Sequence, residues 1–224
     1  MAESVATPRA LSFAAHPWHG VSSHAQPEGA VIAYIEIVPL DAVKYELDKA
    51  SGLLRVDRPQ RFSSACPTLY GFVPQTYCGE EVGQRCTERT GIASRGDGDP
   101  LDICVLSERP FGQGGFLLKA LILGGLRMVD AGQADDKLIG VLEGDAAFGD
   151  AKDIAEVPLA LLDRLRHYFL TYKQFPGDEP RRVRIAETYG RAEALEVLRR
   201  SRLDYAQTFG DPASRVNLLG ASQH

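Results

Sequence analysis

From Ala30 onward the chain runs as short apolar stretches separated by polar, glycine-bearing or proline-bearing breaks. "VIAYIEIVP" is β-branched and stops at Pro39, which predicts a strand. "VKYELD" and "GLLRVDR" flank "KASG", a hairpin signal with glycine in a short loop. "LYGFVPQTY" is aromatic and extended. The polar segment "CGEEVGQRCTERTGIASRG" predicts a loop carrying one short helix. "LDICVLSE", "GFLLKALILGGLRMVD" and "DKLIGVLEGD" predict further strands.

The rhythm then changes. Leu161, Leu162, Leu165, Tyr168, Phe169 and Tyr172 recur at three and four residues, one face of an amphipathic helix, with Pro158 suited to its first turn. "VRIAETYG" predicts a short strand, and "RAEALEVLRRSRLDYAQTFG" a second helix closed by Gly210. The order is strands, then helices. It implies an α+β plan: a small closed or distorted β-barrel with two C-terminal helices packed on it. Residues 1–30, rich in Ala, Ser, His and Pro, are expected to form an arm over a single domain spanning 31–224. Trp18 in "HPWHG" should pin the arm, leaving His16 and His19 solvated rather than metal-bound.

Composition narrows the class. With 44% hydrophobic and 25% charged residues the chain has the balance of a globular domain. A net charge of −5 with interspersed signs argues against a nucleic-acid binder, which needs a basic face. The longest apolar stretch, 116–126, is broken by Lys119, Gly124 and Gly125, so no membrane-spanning helix is expected. The N-terminus lacks a basic run followed by an apolar one, and the expected setting is the cytoplasm. The cysteines, 66, 78, 86 and 104, show no C-x-x-C spacing, which argues against zinc. Cys78 and Cys86 could pair, but free thiols are the expectation in a reducing compartment.

The acidic residues break the usual spacing of charge. Asp97, Asp99 and Asp102 fall within "DGDPLD", and Asp130 and Asp135 stand five apart in "DAGQADDK". Each cluster lies where a loop meets an apolar strand. Crowded carboxylates raise one another's pKa unless a cation sits among them. Oxygen-only donors suit magnesium, manganese or calcium. An EF-hand loop fails, because Leu101 takes its fifth position and Asp102 replaces the glycine at its sixth. Isolated loop aspartates often only cap turns, but that leaves the density of this set unexplained. Candidate partners are Lys44, Glu46 and Arg58 of the hairpin, Tyr70, Lys137, Tyr172 and Lys173. There is no glycine-rich phosphate loop, so phosphate would be held by side chains and metals.

The D-x-D-P-x-D pattern of "DGDPLD" resembles the aspartate signature of soluble, magnesium-dependent, single-domain inorganic pyrophosphatases. "IEIVP", "VKYELD", "GLLRVDR", "YGFVPQT", "DAGQADDK" and "HYFLTYK" follow that family's order, over about residues 35–175. The resemblance implies an OB-like barrel that hydrolyses diphosphate to two phosphates with a metal-activated water. It implies Asp97, Asp102 and Asp135 as ligands of a first Mg2+, with Asp102 shared by a second. Asp130 and Glu46 would serve further ions, with Mn2+ as an alternative metal. Asp99 would be the general base, held extended by Pro100. Lys44, Arg58, Tyr70, Lys137, Tyr172 and Lys173 would hold the phosphoryl ends, and Glu36 would lie in the outer site. A homo-oligomer is also implied. Three departures stand out: Cys66 where a tyrosine is usual, Ala131 and Gln133 in place of acids, and a longer segment at 78–95. That segment could be a lid, an oligomer contact or a latch through Cys78 and Cys86; oligomer contact or plain packing ranks first. Hydrolysis of another phosphoanhydride, or an inactive barrel that binds metal or nucleic acid, are the competing functions.

Overall fold

The computed structural model describes residues 15–61, 64–174, 177 and 183–210. The strands are β1 (Ala30–Ile37), β2 (Val43–Leu47), β3 (Leu54–Pro59), β4 (Leu69–Phe72), β5 (Arg95–Gly96), β6 (Asp102–Leu106), β7 (Phe116–Asp130), β8 (Gln133–Ala134), β9 (Lys137–Leu142) and β10 (Val183–Gly190). The helices are α1 (Glu80–Thr90), α2 (Leu159–Thr171) and α3 (Arg191–Phe209). Strands β1, β4, β6, β9 and β7 pair in that order and β7 returns to β1, closing a ring. Only the β6–β9 pair of that ring is parallel. The ring is uneven, because β8 and β10 extend from the far half of β7. The β2–β3 hairpin stands as a separate ribbon.

The run "FLLKALILGGLRMVD" is one strand of 15 residues, and its glycines explain how it serves four partners. At Gly124 a Cβ would lie 2.4 Å from the Tyr189 carbonyl oxygen, and at Gly125 2.5 Å from the Tyr189 ring. Glycine lets β10 close against β7 there, where any side chain would hold the strands apart. The register also shifts between Ile122 and Gly124, bending the strand as its neighbours change.

Period-two alternation divides the core. On β6, Ile103 and Val105 join the cluster that reaches Val82 and Cys86 of α1 and Val197 and Leu198 of α3. Cys104 and Leu106 point the other way, to Leu162, Leu165 and Phe169 of α2. Each such Leu or Phe, fully buried, contributes about 1.5–3 kcal/mol. That is the apolar stripe expected for α2, and it fixes the helix on the barrel.

Two expectations change. The 78–95 segment is mostly helix: α1 has 11 residues, with two of its apolar positions, Val82 and Cys86, buried one turn apart. Its N-terminal N–H groups are satisfied from a distance. The Asp204 carboxylate on α3 accepts from the backbone N of Gly79 at 2.9 Å, Glu81 at 2.9 Å and Val82 at 3.1 Å. Gly91, in the left-handed conformation, ends the helix. The second correction concerns the arm. Trp18 is buried as expected and donates Nε1–H to the Thr76 carbonyl at 2.8 Å. The histidines are engaged rather than solvated: His19 Nδ1 lies 2.7 Å from the Tyr205 hydroxyl, and His16 Nε2 3.1 Å from the Lys49 carbonyl oxygen. All four cysteines are free and buried.

Asp204→Ala removes the acceptor of three helix N–H groups. The expected cost is about 2 kcal/mol, the upper range for a cap, which lowers the thermal midpoint by roughly 4–8 °C for a chain of this size. An unchanged melting curve would contradict the cap.

Candidate active site

The two acid clusters meet because their backbones pair. Strand β5 runs parallel to β8, with Arg95 opposite Gln133 and Gly96 opposite Ala134. Asp97 follows directly on the first strand; Asp130 and Asp135 bracket the second. Gly96 is required for this approach, since a Cβ there would lie 2.0 Å from the Cys78 carbonyl oxygen. The same carbonyl accepts from Gly98 N at 3.0 Å, and Cys78 N donates to the Asp99 carbonyl at 2.8 Å. Asp97 Oδ1 accepts from Asp99 N at 3.0 Å, closing a local turn in which Gly98 takes φ +79°. The second acidic loop turns through Ala131 and Gly132, both with positive φ, and Asp135 N donates to the Met128 carbonyl at 3.0 Å.

Parallel register then sets Asp102 of β6 beside Lys137 of β9. The Lys137 ammonium donates to both Asp102 Oδ2 and Asp135 Oδ1. Tyr70, on neighbouring β4, donates its hydroxyl to Asp102 Oδ2 at 2.5 Å. Lys173, just beyond α2, donates to Asp130 Oδ2 at 2.7 Å and lies 4.0 Å from Asp135 Oδ2. Lys44 Nζ is 3.7 Å from Glu46 and 3.1 Å from Asp57. All of these groups except Asp57 line a cleft of about 200 Å³.

Burial and crowding shape the charges. Burial pushes the Asp97 carboxyl up to about 8, and the Asp135 charge adds to the effect. Glu36 is also pushed up to about 8, by burial and then by Asp102, while its Oε1 accepts from Leu47 N at 2.7 Å. Burial alone would pull Lys137 down, but Asp102 and Asp135 overcome it and hold the ammonium well above its usual range. Burial also raises the Tyr70 phenol, with Asp102 assisting, and raises Tyr172.

Of the residues singled out from sequence, Asp97, Asp99, Asp102, Asp130, Asp135, Glu36, Glu46, Lys44, Tyr70, Lys137, Tyr172 and Lys173 all line this cleft. Arg58 does not line it; its Nη1 is committed to Asp57 Oδ2 at 2.5 Å on the hairpin. Lys49 was hidden in the hairpin turn "KASG", yet its ammonium pairs with Asp99. Trp18 also lines the cleft, and Asp57, between Lys44 and Arg58, was likewise missed. A lysine at the tip of a hairpin carries no local signal of where it will reach.

The donor set fits hard divalent cations. The acids in the cleft offer only carboxylate oxygens, the ligands such ions take. The raised pKa of Asp97 comes first from burial and then from the Asp135 charge, and a cation beside it would favour its ionised, ligating form. Among the described residues no three Asp, Glu, His or Cys side chains close on one point as a ready-made metal site; Lys137 stands between Asp102 and Asp135.

Comparison with known proteins agrees with this geometry. The family model described as inorganic pyrophosphatase matches residues 33–206. The inorganic pyrophosphatase of Chlamydia trachomatis is 47% identical over 200 residues, covering 87% of this chain and 96% of that protein. Among solved structures, the inorganic pyrophosphatase of Thermus thermophilus superposes with a TM-score of 0.70 at 28% identity, over 84% of this chain and 98% of the other. That of Helicobacter pylori gives 0.66 at 34% identity, over 81% and 96%. The profile covers more than three quarters of the sequence, and the chain belongs to the inorganic pyrophosphatase family.

Proposed function

We propose that this chain hydrolyses inorganic diphosphate to two phosphates, with Asp99 as general base and the other acids of the cleft as ligands of divalent metal. The observation that carries the reading is the convergence of Asp97, Asp99, Asp102, Asp130 and Asp135 with Lys44, Lys49, Lys137 and Lys173 in one small cleft. Carboxylates recruit divalent cations, ammoniums recruit phosphoryl oxygens, and diphosphate needs both. The volume of about 200 Å³ falls below the roughly 300–1,000 Å³ typical of drug-sized ligands. Trp18, the indole at its edge, is buried, so it offers no open face for a nucleobase.

On the family resemblance, Asp97, Asp102 and Asp135 would hold a first ion, Asp102 would also serve a second, and Asp130 and Glu46 would serve ions that arrive with substrate. When bound, such ions supply charge neutralisation and a more acidic water. Asp99 takes the proton of the attacking water. The bridging P–O bond breaks, and its electron pair leaves with the second phosphate. Lys44, Lys137 and Lys173 offset the charge that develops there, and positioning with neutralisation is the main work of such a transfer. Tyr70, on leaving Asp102, and Tyr172 would offer hydroxyls to the phosphoryl oxygens, and Arg58 can join by leaving Asp57, gripping two oxygens at once. Glu36, buried and bonded to the hairpin backbone, borders the site from outside. Mg2+ is the expected ion and Mn2+ the alternative. A homo-oligomer in the cytoplasm completes the reading; among the described residues no helix is long and apolar enough to cross a membrane.

The direct test is phosphate release from diphosphate and from a nucleoside triphosphate, each with Mg2+, Mn2+ or a chelator. Rapid, metal-dependent release from diphosphate alone is expected; equal rates on the triphosphate would overturn the substrate assignment. Asp99→Asn should lower kcat at least about 10²-fold, the scale of a lost general base, with the melting curve preserved. Near-normal turnover would remove Asp99 from its role. Asp102→Asn should weaken metal activation more than Asp130→Asn, because Asp102 is assigned to two ions; superimposable metal-titration curves would contradict that order.

A further inference from the structure

Behind the cleft lies a buried ion network that the proposed chemistry does not use. Arg127, on β7, is the largest fully buried side chain among the described residues. Its Nη2 is 2.5 Å from Glu193 Oε1 of α3 and 3.7 Å from Asp136 Oδ2. Its Nη1 donates to the Arg85 carbonyl of α1 at 3.2 Å, and its guanidinium carbon sits 4.9 Å from the centre of the Tyr189 ring. Tyr189, on β10, donates its hydroxyl to Asp136 Oδ2 at 3.0 Å. Arg85 in turn bonds Glu193. One guanidinium therefore gathers α1, α3 and β10 against the turn that carries Asp135.

The alternation of an extended chain explains the arrangement. Asp135 and Lys137 face the cleft, and Asp136 between them faces the opposite way, into this network. Arg127 lies three residues before Asp130 on the same strand. The network thus grips the acidic loop from behind, near both of its cleft carboxylates. It is poorly built as a source of stability. Among the described residues, Asp136 Oδ1 is buried without a hydrogen-bond partner, and Arg127 Nε and Glu187 Oε2 meet only as an ion pair at 3.7 Å, too long for a hydrogen bond. Apolar side chains of similar volume would avoid that penalty.

We propose that Asp136, fixed by Arg127 and Tyr189, is a positioning residue for the metal centre: it sets the turn on which Asp135 is presented to divalent cation. The inference rests on the reading of Asp135 as a metal ligand. Groups that orient a ligand typically change metal affinity 10–100-fold when removed. The 78–95 helix then has a part in the site, because Arg85 on α1 closes the network from the far side.

The test is direct binding of Mn2+ to the purified full chain, followed by the electron paramagnetic resonance signal of free ion, with no substrate present. Asp136→Asn keeps the shape and an acceptor for Tyr189 but removes the charge, and should raise the Mn2+ dissociation constant at least about 10-fold. Tyr189→Phe keeps the ring over Arg127 and removes one hydrogen bond; it should raise the constant by about threefold. It stands in if the Asn variant does not fold. Normal Mn2+ affinity in both folded variants, with only the melting temperature lowered, would overturn the positioning role and leave the network purely structural. Asp135→Asn separates the two claims: if it too binds Mn2+ normally, the metal-centre reading fails, whereas weakened binding there alone overturns only the inference drawn from Asp136.

Discussion

Lys137 stands between Asp102 and Asp135, and the cleft depends on that ammonium. Carboxylates from separate strands repel when they share a half-buried space, and at least one would take up a proton to escape. Lys137 is almost wholly buried, which by itself disfavours its charge. The two carboxylates more than reverse that, so the buried ammonium keeps its charge. Removing any one member leaves the others uncompensated in a medium of low polarity, where an unpaired charge costs several kcal/mol. Asp97 lies outside this pairing, and burial, with the Asp135 charge adding to it, pushes its carboxyl up.

Backbone geometry brings those charges together before electrostatics acts. The parallel β6–β9 register places Asp102 beside Lys137, and the two-residue β5–β8 pairing draws the first acidic loop against the second. The two residue pairs of β5–β8 bury too little to be stable alone. They are backed by the segment leading into α1, where Cys78 anchors the turn at Gly98 and Asp99, and by Asp204, which caps that helix from α3. The C-terminal helix is therefore part of the support of a site to which it contributes no lining residue.

What could be read from the sequence follows the range of the forces involved. The stripe of α2 and the alternation of β6 are local, and they appear in the chain as spacing. The acidic clusters were legible because like charges at such density have no structural use without a counter-charge. The length of α1 was not: it is polar, carries Gly83 in its middle, and takes its cap from a residue more than a hundred positions away. Lys49 reaches Asp99 because of how a separate hairpin leans over the cleft. Arg127 reads as one charge in an apolar strand, and only tertiary packing reveals Asp136, Tyr189 and Glu193 around it. The sequence resemblance assigned Arg58 to substrate, but in this conformation its guanidinium rests on Asp57. A long, flexible side chain is the feature that a backbone pattern constrains least.

The lysines have a double use that follows from charge balance. In the cleft as described, Lys137, Lys173, Lys49 and Lys44 are all occupied by carboxylates. Once divalent charge engages those carboxylates, the ammoniums lose their partners, and a buried or half-buried ammonium without an acceptor is costly. A polyanion with several phosphoryl oxygens is then the acceptor that restores them. The same groups that make the acid cluster tolerable without ligand thereby favour binding a small polyanion together with metal over binding either alone. A neutral ligand would leave the displaced lysines unpaired, and a polyanion without metal would meet the carboxylates' repulsion. On the proposed function, selectivity for a compact, highly charged substrate would arise from the exchange of partners among fixed charges in a confined space.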